Sequence, residues 1–383
     1  MAPARVLHTI HLLPQDATWP EHEALADHLH PTRTAYTFSA DVAHAVVYHG
    51  ARGSKVVIWD APRWGDDIAG WFDARGINWE LRYLADLFAD SPPPTPIPPV
   101  EPPKDTGKDY TGPIGLHASA DPGISQAEIS EFRRLRPGII KVLSFHEPEG
   151  VRALAAIPGV SRWIVRAFLS MGGRKISPHQ FVNDTFGDTK RTVDIIRAHG
   201  HTDIVIELHN EPNLVAEGFG SSWDSAEGFA KWYAEVCSFY RAKMPGQKLI
   251  YPGLSPGPVI PNIRPVTGED FYRAARSFIL NGNGTADGFG VHAYWSANGI
   301  GEALSVVRRA QSIIPERPLW VTEASDKSKD LPDAKASRMA AFYRGLPSAC
   351  KGVTFFVASA SDPAFAKETW VDRDMARRVR ERV

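Results

Sequence analysis

The amino-acid sequence predicts an α/β protein made of a small N-terminal α/β unit, a proline-rich linker and a large closed barrel. Three observations support this prediction: a proline-dense segment divides the chain, strand-like and helix-like segments alternate on both sides of it, and eight short apolar segments recur in the roughly 270 residues that follow it. Eight parallel strands, each followed by a helix, form a (β/α)₈ or TIM barrel. A doubly wound open sheet is the structural alternative, and the number of strands favours the barrel.

Residues 1–90 have the pattern of a small α/β domain. TAYTFS, KVVIWD and INWELRYL are strand-like, and DVAHAVVYHGARG and GDDIAGWFDARG are helix-like segments with glycine near the C-terminal end. This βαβαβ alternation predicts parallel strands, and no glycine-rich phosphate-binding motif follows any of them. The histidines of this region have no acidic or cysteine partner at a ligand-like spacing, so we predict surface histidines rather than a metal site; they are His8, His11, His22, His28 and His30.

The linker is predicted at residues 91–111, and it begins SPPPTPIPPVEPPK. Proline fixes φ and donates no backbone hydrogen bond, so this run forms an extended spacer rather than a helix or a central strand. Such a spacer suits a module that binds a polymer or a surface through residues 1–90.

Composition excludes several classes of protein. With 43% hydrophobic residues and a formal charge of −1, the chain is typical of globular proteins and has no electrostatic footprint for nucleic acid. Two cysteines exclude a disulfide framework. No apolar stretch reaches the roughly 18 residues of a membrane span, and the N-terminus lacks the continuous apolar core of a signal peptide. The sequence as written therefore carries no export address, and its localisation is unknown.

The barrel domain is predicted at residues 112–383. Its strand-like segments are PIGLHA (113–118), GIIKVLSF (138–145), RWIVRAF (162–168), TDIVIELHN (202–210), KLIYPG (248–253), DGFGVHAY (287–294), PLWVTEA (318–324) and GVTFFVAS (352–359). Side chains alternate along a strand. In the fourth segment, the residues predicted to face the barrel interior are Val205, Glu207, His209 and Glu211. In the seventh segment, the inward residues are predicted to be Leu319, Val321 and Glu323, and the outward residues Trp320 and Thr322.

Glu211 and Glu323 follow the fourth and seventh strands, at the C-terminal ends where barrel enzymes build their active sites. Strands three apart in a ring of eight can face each other across the mouth. A single glutamate at a strand end is usually an exposed loop residue, but two acids placed in this way suit glycoside hydrolysis.

The stretches HNEP (209–212), HAYW (292–295) and WVTEAS (320–325) resemble clan A of the glycoside hydrolases, over about residues 112–383. The resemblance implies a retaining mechanism, with Glu211 as general acid/base and Glu323 as nucleophile. It also implies that Asn210 contacts the sugar 2-hydroxyl, and that Tyr294, paired with His292, touches the nucleophile. Glu211 then has to be protonated and Glu323 ionised, with the carboxyl groups about 5–5.5 Å apart. No cofactor or metal is needed.

The sequence departs from the clan pattern at two places. Clan members often have an arginine late on strand two and a tryptophan at the end of strand eight, and this chain has neither. Arg166 is the nearest candidate for the arginine, ahead of Lys141, although a barrel-interior ion pair between Arg166 and Glu207 is equally consistent with its position. Candidate sugar-binding side chains are Trp295, Trp370 and His209, together with the loop residue Trp223; His117 and Asp121, after strand one, are placed at the mouth by topology.

The leading hypothesis is a retaining glycosidase that cleaves β-linked O-glycosidic bonds of a poly- or oligosaccharide. A non-catalytic carbohydrate-binding barrel is the alternative, as is a phage or cell-envelope protein whose barrel degrades or binds cell-wall glycan. The sugar, the linkage and endo or exo action are left open.

Overall fold

The computed structural model describes residues 9–12, 35–37, 43, 54–59, 68–82, 110–280, 286–296 and 299–383. The chain divides into two compact units, Met1–Glu101 and Pro102–Val383, each with its own hydrophobic core. The proline run at residues 91–104 lies outside the described residues, as does the helix-like segment at 41–53 apart from Ala43. No helix in the described ranges is long and apolar enough to cross a membrane.

The N-terminal unit contains a four-stranded parallel sheet in the order β2-β1-β3-β4. The strands predicted in TAYTFS, KVVIWD and INWELRYL are present, and a further strand, β1, lies between β2 and β3. The elements are β1 (Thr9–Leu12), β2 (Ala35–Thr37), β3 (Lys55–Trp59), α1 (Ile68–Asp73) and β4 (Trp79–Arg82).

The sequence pattern missed β1 because the polar residues Thr9 and His11 interrupt its apolar residues. His11 is only 5% exposed, and its Nδ1 accepts a 2.9 Å hydrogen bond from Trp59 Nε1 in the neighbouring strand. The expectation of a surface histidine is therefore wrong at this position, because the imidazole is buried with a partner for its polar atom.

The C-terminal unit is a closed barrel of eight parallel strands, each paired with the next along the chain, with the last paired to the first. This confirms the predicted (β/α)₈ barrel and excludes the open sheet. The strands are β5 (Ile114–His117), β6 (Ile139–Leu143), β7 (Arg162–Ala167), β8 (Ile204–Leu208), β9 (Lys248–Tyr251), β10 (Gly288–Trp295), β11 (Leu319–Asp326) and β12 (Cys350–Phe355).

Helices cover the outside of the barrel, and several begin where the sequence provides a cap. Ser125 and Glu128 form a reciprocal capping box at the start of α2, and the Ser177 hydroxyl accepts from the Gln180 amide beside a proline in the first turn of α4. The helices are α2 (Gln126–Leu135), α3 (Pro148–Ala155), α4 (Pro178–Ala198), α5 (Ala226–Lys243), α6 (Gly268–Leu280), α7 (Ile300–Ile313), α8 (Pro332–Arg344) and α9 (Met375–Arg380), with 3₁₀ turns at Val215–Glu217 and Pro363–Phe365.

The barrel interior is built in layers along the strands. The lower layer is apolar and consists of Ile139, Ile164, Val205, Ile250 and Trp320. Two residues further along β6, β7 and β8, on the same inward face, lie Lys141, Arg166 and Glu207, all at most 5% exposed. An apolar floor thus supports a charged layer directly below the mouth.

The inward orientation of Val205 and Glu207 agrees with strand alternation, but that of His209 does not. His209 has a φ of 81°, which ends the extended pattern, and its ring packs outside the barrel against Phe181 and Trp223. In β11 the predicted faces are reversed, because Trp320 belongs to the interior layer whereas Leu319 and Val321 pack in the outer core.

Glu323 nevertheless lies inside because β11 contains an irregularity. Val291 of β10 pairs with Val321, whereas His292 pairs with Glu323, so Thr322 is an extra residue in this strand. A bulge of this kind redirects the side chains that follow it. Thr322 and Glu323 consequently both reach the interior, where the Thr322 hydroxyl donates to Glu207.

Candidate active site

The charged layer consists of two buried cations and two buried carboxylates. Lys141 Nζ lies 2.6 Å from Glu207 Oε2 and 3.3 Å from Glu323 Oε1. Arg166 donates to the same two carboxylates, through Nε to Glu207 at 3.1 Å and through Nη2 to Glu323. The interior ion pair with Glu207 and the contact with Glu323 therefore coexist, and Lys141 and Arg166 together supply positive charge beside Glu323.

Glu323 is held as a carboxylate. It is 3% exposed, so burial raises its pKa, but the positive charges of Arg166 and Lys141 outweigh that effect and hold the pKa well below its usual range. The Tyr294 hydroxyl also donates to Glu323, and burial together with the negative charge of Glu323 raises the pKa of Tyr294 well above its usual value. Tyr294 is consequently a permanent donor.

His117, at the end of β5, also lies in this group. Its Nε2 is 3.7 Å from Glu323 Oε1, while its Nδ1 lies 2.8 Å from the Ala118 carbonyl oxygen. Burial lowers the pKa of His117 well below its usual value, so the ring is neutral and Nδ1 donates to the carbonyl.

Glu211 lies at the rim, in the turn after β8. Its φ is 35°, and its amide donates to the Gly253 carbonyl at 3.1 Å. Its carboxylate oxygen Oε1 is 2.7 Å from His292 Nδ1. Arg166 Nη2 lies 3.4 Å from the other ring nitrogen of His292, and an arginine can only donate, so Nδ1 carries the proton that is donated to Glu211.

Gly253, which follows β9, makes this arrangement possible. A Cβ at this position would lie 2.1 Å from the His292 ring, so no other residue can be accommodated without moving the imidazole. Its amide donates to Glu207 at 3.1 Å, which ties the rim to the charged layer.

Oxygen atoms of Glu211 and Glu323 and a nitrogen of His292 all lie within 4.8 Å of one another. Two carboxylates and an imidazole could hold a divalent cation. However, Lys141 and Arg166 already neutralise Glu323, so a second positive charge at this point is opposed by the first two. Buried cations thus already lie beside one of the three possible ligands, which disfavours a metal ion at this point.

Asn210 contacts a third carboxyl group that the sequence analysis did not identify. Its Nδ2 donates to Glu217 Oε1 at 2.9 Å, and its Oδ1 is buried without a partner among the described residues. Burial raises the pKa of Glu217 to about 7; the hydrogen bond from Asn210 opposes this shift, and the charge of Glu211 adds to it. Glu217 lies in a 3₁₀ turn six residues after Glu211, where no strand period could place it.

Replacing Glu217 with glutamine should stabilise the protein increasingly as pH rises. Because the folded-state pKa is raised above the ordinary 4.5, the stability associated with the neutral carboxyl is present below pH 4.5 and lost as pH rises through about 7. The difference in unfolding free energy between Glu217→Gln and wild type should grow by about 2 kcal/mol from pH 5 to pH 8.

Chemical denaturation at several pH values measures this difference. Glu149→Gln is the matched control, because the hydrogen bonds of the exposed Glu149 to its own backbone and to Arg152 lower its pKa and keep it ionised throughout. A constant difference for Glu217→Gln would contradict the assignment.

Three predicted sugar contacts lie in the core instead. Trp370 is fully buried and packs on Phe355, and Trp295, 4% exposed, stacks on Phe342 at a centroid distance of 4.7 Å. His209 is also fully buried, and burial lowers its pKa to about 4. Each side chain fills the space between strands and helices, so none presents a face to a sugar.

The loop tryptophan Trp223 is likewise buried. Its Nε1 donates to the Pro212 carbonyl at 2.8 Å, and its ring packs against Phe229. It therefore supports the turn that carries Glu211 rather than a sugar.

A cleft of about 390 Å³ includes Glu211 in its wall, together with Tyr294, whose hydroxyl donates to Glu323. Phe356, directly after β12, also lines it, with its ring 5.3 Å from His117 and 6.3 Å from Tyr294 between centroids. An aromatic side chain therefore does follow strand eight at the mouth, as phenylalanine rather than the tryptophan expected from the resemblance.

No protein-family model matches the chain, and no curated protein matches it. Solved structures similar to it include a GH128 (subgroup II) endo-β-1,3-glucanase from Sorangium cellulosum, with 16% identity, a TM-score of 0.46, and coverage of 70% of this chain and 97% of that one. A GH128 (subgroup III) curdlan-specific exo-β-1,3-glucanase from Blastomyces gilchristii has 15% identity, a TM-score of 0.44, and coverage of 67% and 98%.

A GH5-4 broad-specificity endoglucanase from Clostridium acetobutylicum has 13% identity, a TM-score of 0.44, and coverage of 70% and 96%. These proteins are glycoside hydrolases, and identities this low assign no activity to the present chain.

Proposed function

We propose that the barrel is a retaining glycoside hydrolase that cleaves β-linked O-glycosidic bonds of a poly- or oligosaccharide. The observation that supports this proposal is the pair formed by Glu211 and Glu323, whose oxygens approach within 4.8 Å at the mouth of the barrel. Retaining enzymes need their carboxyl groups about 5–5.5 Å apart, whereas inverting enzymes leave about 6.5–9.5 Å for a water molecule.

In the first step, a carboxylate oxygen of Glu323 attacks the anomeric carbon and forms a C–O bond. The glycosidic C–O bond breaks at the same time, and the leaving oxygen takes the proton of Glu211. The electrostatics of the site suit these roles, because Glu323 is buried beside Lys141 and Arg166 whereas Glu211 has no cationic lysine or arginine within 4.0 Å in the described part of the chain.

In the second step, Glu211 is a carboxylate and takes a proton from a water molecule. The water oxygen attacks the anomeric carbon, the bond to Glu323 breaks, and the electron pair returns to the Glu323 carboxylate. His292 holds Glu211 in place by its 2.7 Å hydrogen bond, and Tyr294 donates to Glu323 in its ionised state.

Asn210 is the proposed contact to a sugar hydroxyl next to the reacting carbon. Its Nδ2 is bound to Glu217, and its Oδ1 has no partner in the described region, so Oδ1 is the atom left to accept a hydroxyl proton. A buried acceptor without a donor costs about 1–3 kcal/mol, which a substrate hydroxyl would recover.

The proposal is tested by incubating the protein with β-linked glucans, mannan, xylan and aryl β-glycosides, and by following the first product with proton NMR. A retaining mechanism should release the β-anomer first, before mutarotation. Early appearance of the α-anomer would contradict the roles of the two glutamates, and binding of a glycan without any cleavage would favour the carbohydrate-binding barrel.

A further inference from the structure

One wall of the cleft is a loop that orients an arginine towards the site. Ser255, Pro256 and Gly257 line the cleft together with Arg264, and Ile260 and Arg264 close the loop through two backbone hydrogen bonds of 2.9 and 2.8 Å. Asn213, two residues after Glu211, fixes the start of the loop, because its amide group bonds both the carbonyl and the amide of Ser255. The loop and the turn that carries Glu211 are thus one connected structure.

The Arg264 guanidinium is buried and bonded to neutral groups. It is 8% exposed, with Nε donating to the Pro258 carbonyl at 2.8 Å and Nη1 to the Ser255 hydroxyl at 3.1 Å. Within the described ranges of the chain, no carboxylate lies within 4.0 Å of it. Burial lowers the pKa of Arg264, and the more distant charge of Glu211 only partly opposes this shift. A buried charge without a paired counter-ion is unfavourable, and it is tolerated where a ligand supplies the opposite charge.

Other charged groups of the cleft differ from Arg264 because each lies within 4.0 Å of a side chain that can carry the opposite charge. Glu302 accepts from Arg309 at 2.6 Å, and Glu211 is bonded to His292. Lys327 lies 4.0 Å from Glu368 and over the Tyr294 ring at 4.1 Å. Arg264 has no such partner within 4.0 Å among the residues described, and Glu211 acts on it only from a longer distance.

We propose that Arg264 binds the carboxylate of a uronic-acid unit of the glycan, in the cleft beside Glu211. This inference rests on the proposed glycosidase function and narrows its substrate class to acidic glycans. A guanidinium offers two parallel N–H donors that match the two oxygens of a carboxylate. The hydrogen bonds to Pro258 and Ser255 hold Nε and Nη1, which fixes the plane of the fork before a ligand arrives.

Gly257 supports the same arrangement. It has a φ of 107°, and a Cβ at this position would lie 2.9 Å from Arg264 Nη2. A larger residue would therefore both strain the loop and displace the guanidinium. The backbone at this position leaves room for the arginine in one defined orientation.

The experiment measures ligand binding to the full chain by saturation-transfer NMR titration. The ligands are methyl β-D-glucuronoside, its neutral relatives methyl β-D-glucoside and methyl β-D-glucuronamide, and methyl β-D-glucoside 6-sulfate as a second anion. Wild type should bind the glucuronoside about tenfold more tightly than either neutral ligand, as expected for charge-assisted hydrogen bonds. The sulfate ester should bind more weakly than the glucuronoside.

Arg264→Gln should remove this preference and leave the affinity for methyl β-D-glucoside unchanged, whereas Arg264→Lys should retain part of it. The control is Arg276→Gln, because Arg276 is paired with Glu316 on the outside of the barrel. If Arg264→Gln does not fold, the wild-type affinities for the glucuronoside and the glucuronamide still test whether the site binds a carboxylate.

Equal wild-type affinities for the acid and its amide would overturn the proposal, and so would a preference that survives in Arg264→Gln. Tighter binding of the sulfate ester would overturn the assignment to a carboxylate. Because binding is measured without cleavage, a protein that prefers the glucuronoside but hydrolyses no glycoside would contradict the proposed function and not this site. A protein that cleaves neutral glycans but does not prefer the glucuronoside would contradict this site and not the proposed function.

Discussion

Glu323→Gln is expected to lower the rate of glycoside hydrolysis by about 10⁴-fold or more. The amide cannot form the bond to the anomeric carbon that the proposed mechanism requires, and the loss should appear for every substrate whatever its leaving group. Glu211→Ala should behave differently. A glycoside whose leaving group needs no proton, such as a 2,4-dinitrophenyl glycoside, should still transfer its sugar to Glu323, and hydrolysis should then stop at the covalent intermediate.

This difference allows the two roles to be separated. Azide needs no general base, so it should restore turnover of the dinitrophenyl glycoside by Glu211→Ala and yield the β-glycosyl azide, while leaving Glu323→Gln inactive. Glu235→Gln, on the exposed face of α5, is the control for the loss of one carboxylate. Azide rescue of Glu323→Gln instead of Glu211→Ala would reverse the assignments.

The sequence predicted the barrel because each strand is a short apolar run followed by a helix-like segment. It also predicted that Glu211 and Glu323 lie together, since strand number alone places the ends of the fourth and seventh strands at the same mouth; their catalytic roles stay predictions. Which side of a strand each side chain occupies was less predictable. Alternation worked for Glu207, but it failed for His209, where φ becomes positive, and in β11, where an extra residue before Glu323 shifts the register.

The remaining site residues could not be predicted because they depend on loops or on packing. Glu217 and Arg264 reach the site through a 3₁₀ turn and a ten-residue loop, respectively, neither of which has a period. The prediction that tryptophans contact the sugar was wrong for the opposite reason. Trp295 and Trp370 have the residue type of a sugar platform, but large aromatic side chains are also the best fillers of the space between strands and helices, and only packing distinguishes the two.

The second large effect is expected in the charged layer, where Lys141→Met should lower the free energy of unfolding by about 3–5 kcal/mol. Lys141 is fully buried between Glu207 and Glu323, so its loss leaves two carboxylates with Arg166 as their remaining cation. Lys190→Met is the control. Lys190 forms an exposed pair with Asp194 on α4, and removing such a pair should cost at most about 0.5 kcal/mol.

The pH dependence identifies the origin of the effect. Burial raises the pKa values of Glu207 and Glu323, but Lys141 and Arg166 outweigh burial and lower both values, so the stability that these carboxylates contribute is present above about pH 4.5 and is lost as pH falls. The difference in unfolding free energy between wild type and Lys141→Met should therefore be largest near neutral pH and shrink in acid.

A second substitution tests whether charge balance is responsible. Lys141→Met combined with Glu207→Gln leaves one cation, Arg166, with one carboxylate, Glu323, and should recover part of the lost stability. If the double variant is as unstable as the sum of the two single variants, the loss comes from packing around the lysine stem rather than from its charge. Lys141→Met also bears on catalysis, because Arg166 alone then lowers the pKa of Glu323 against burial. In Lys141→Met the acidic limb of the activity profile should consequently move to higher pH.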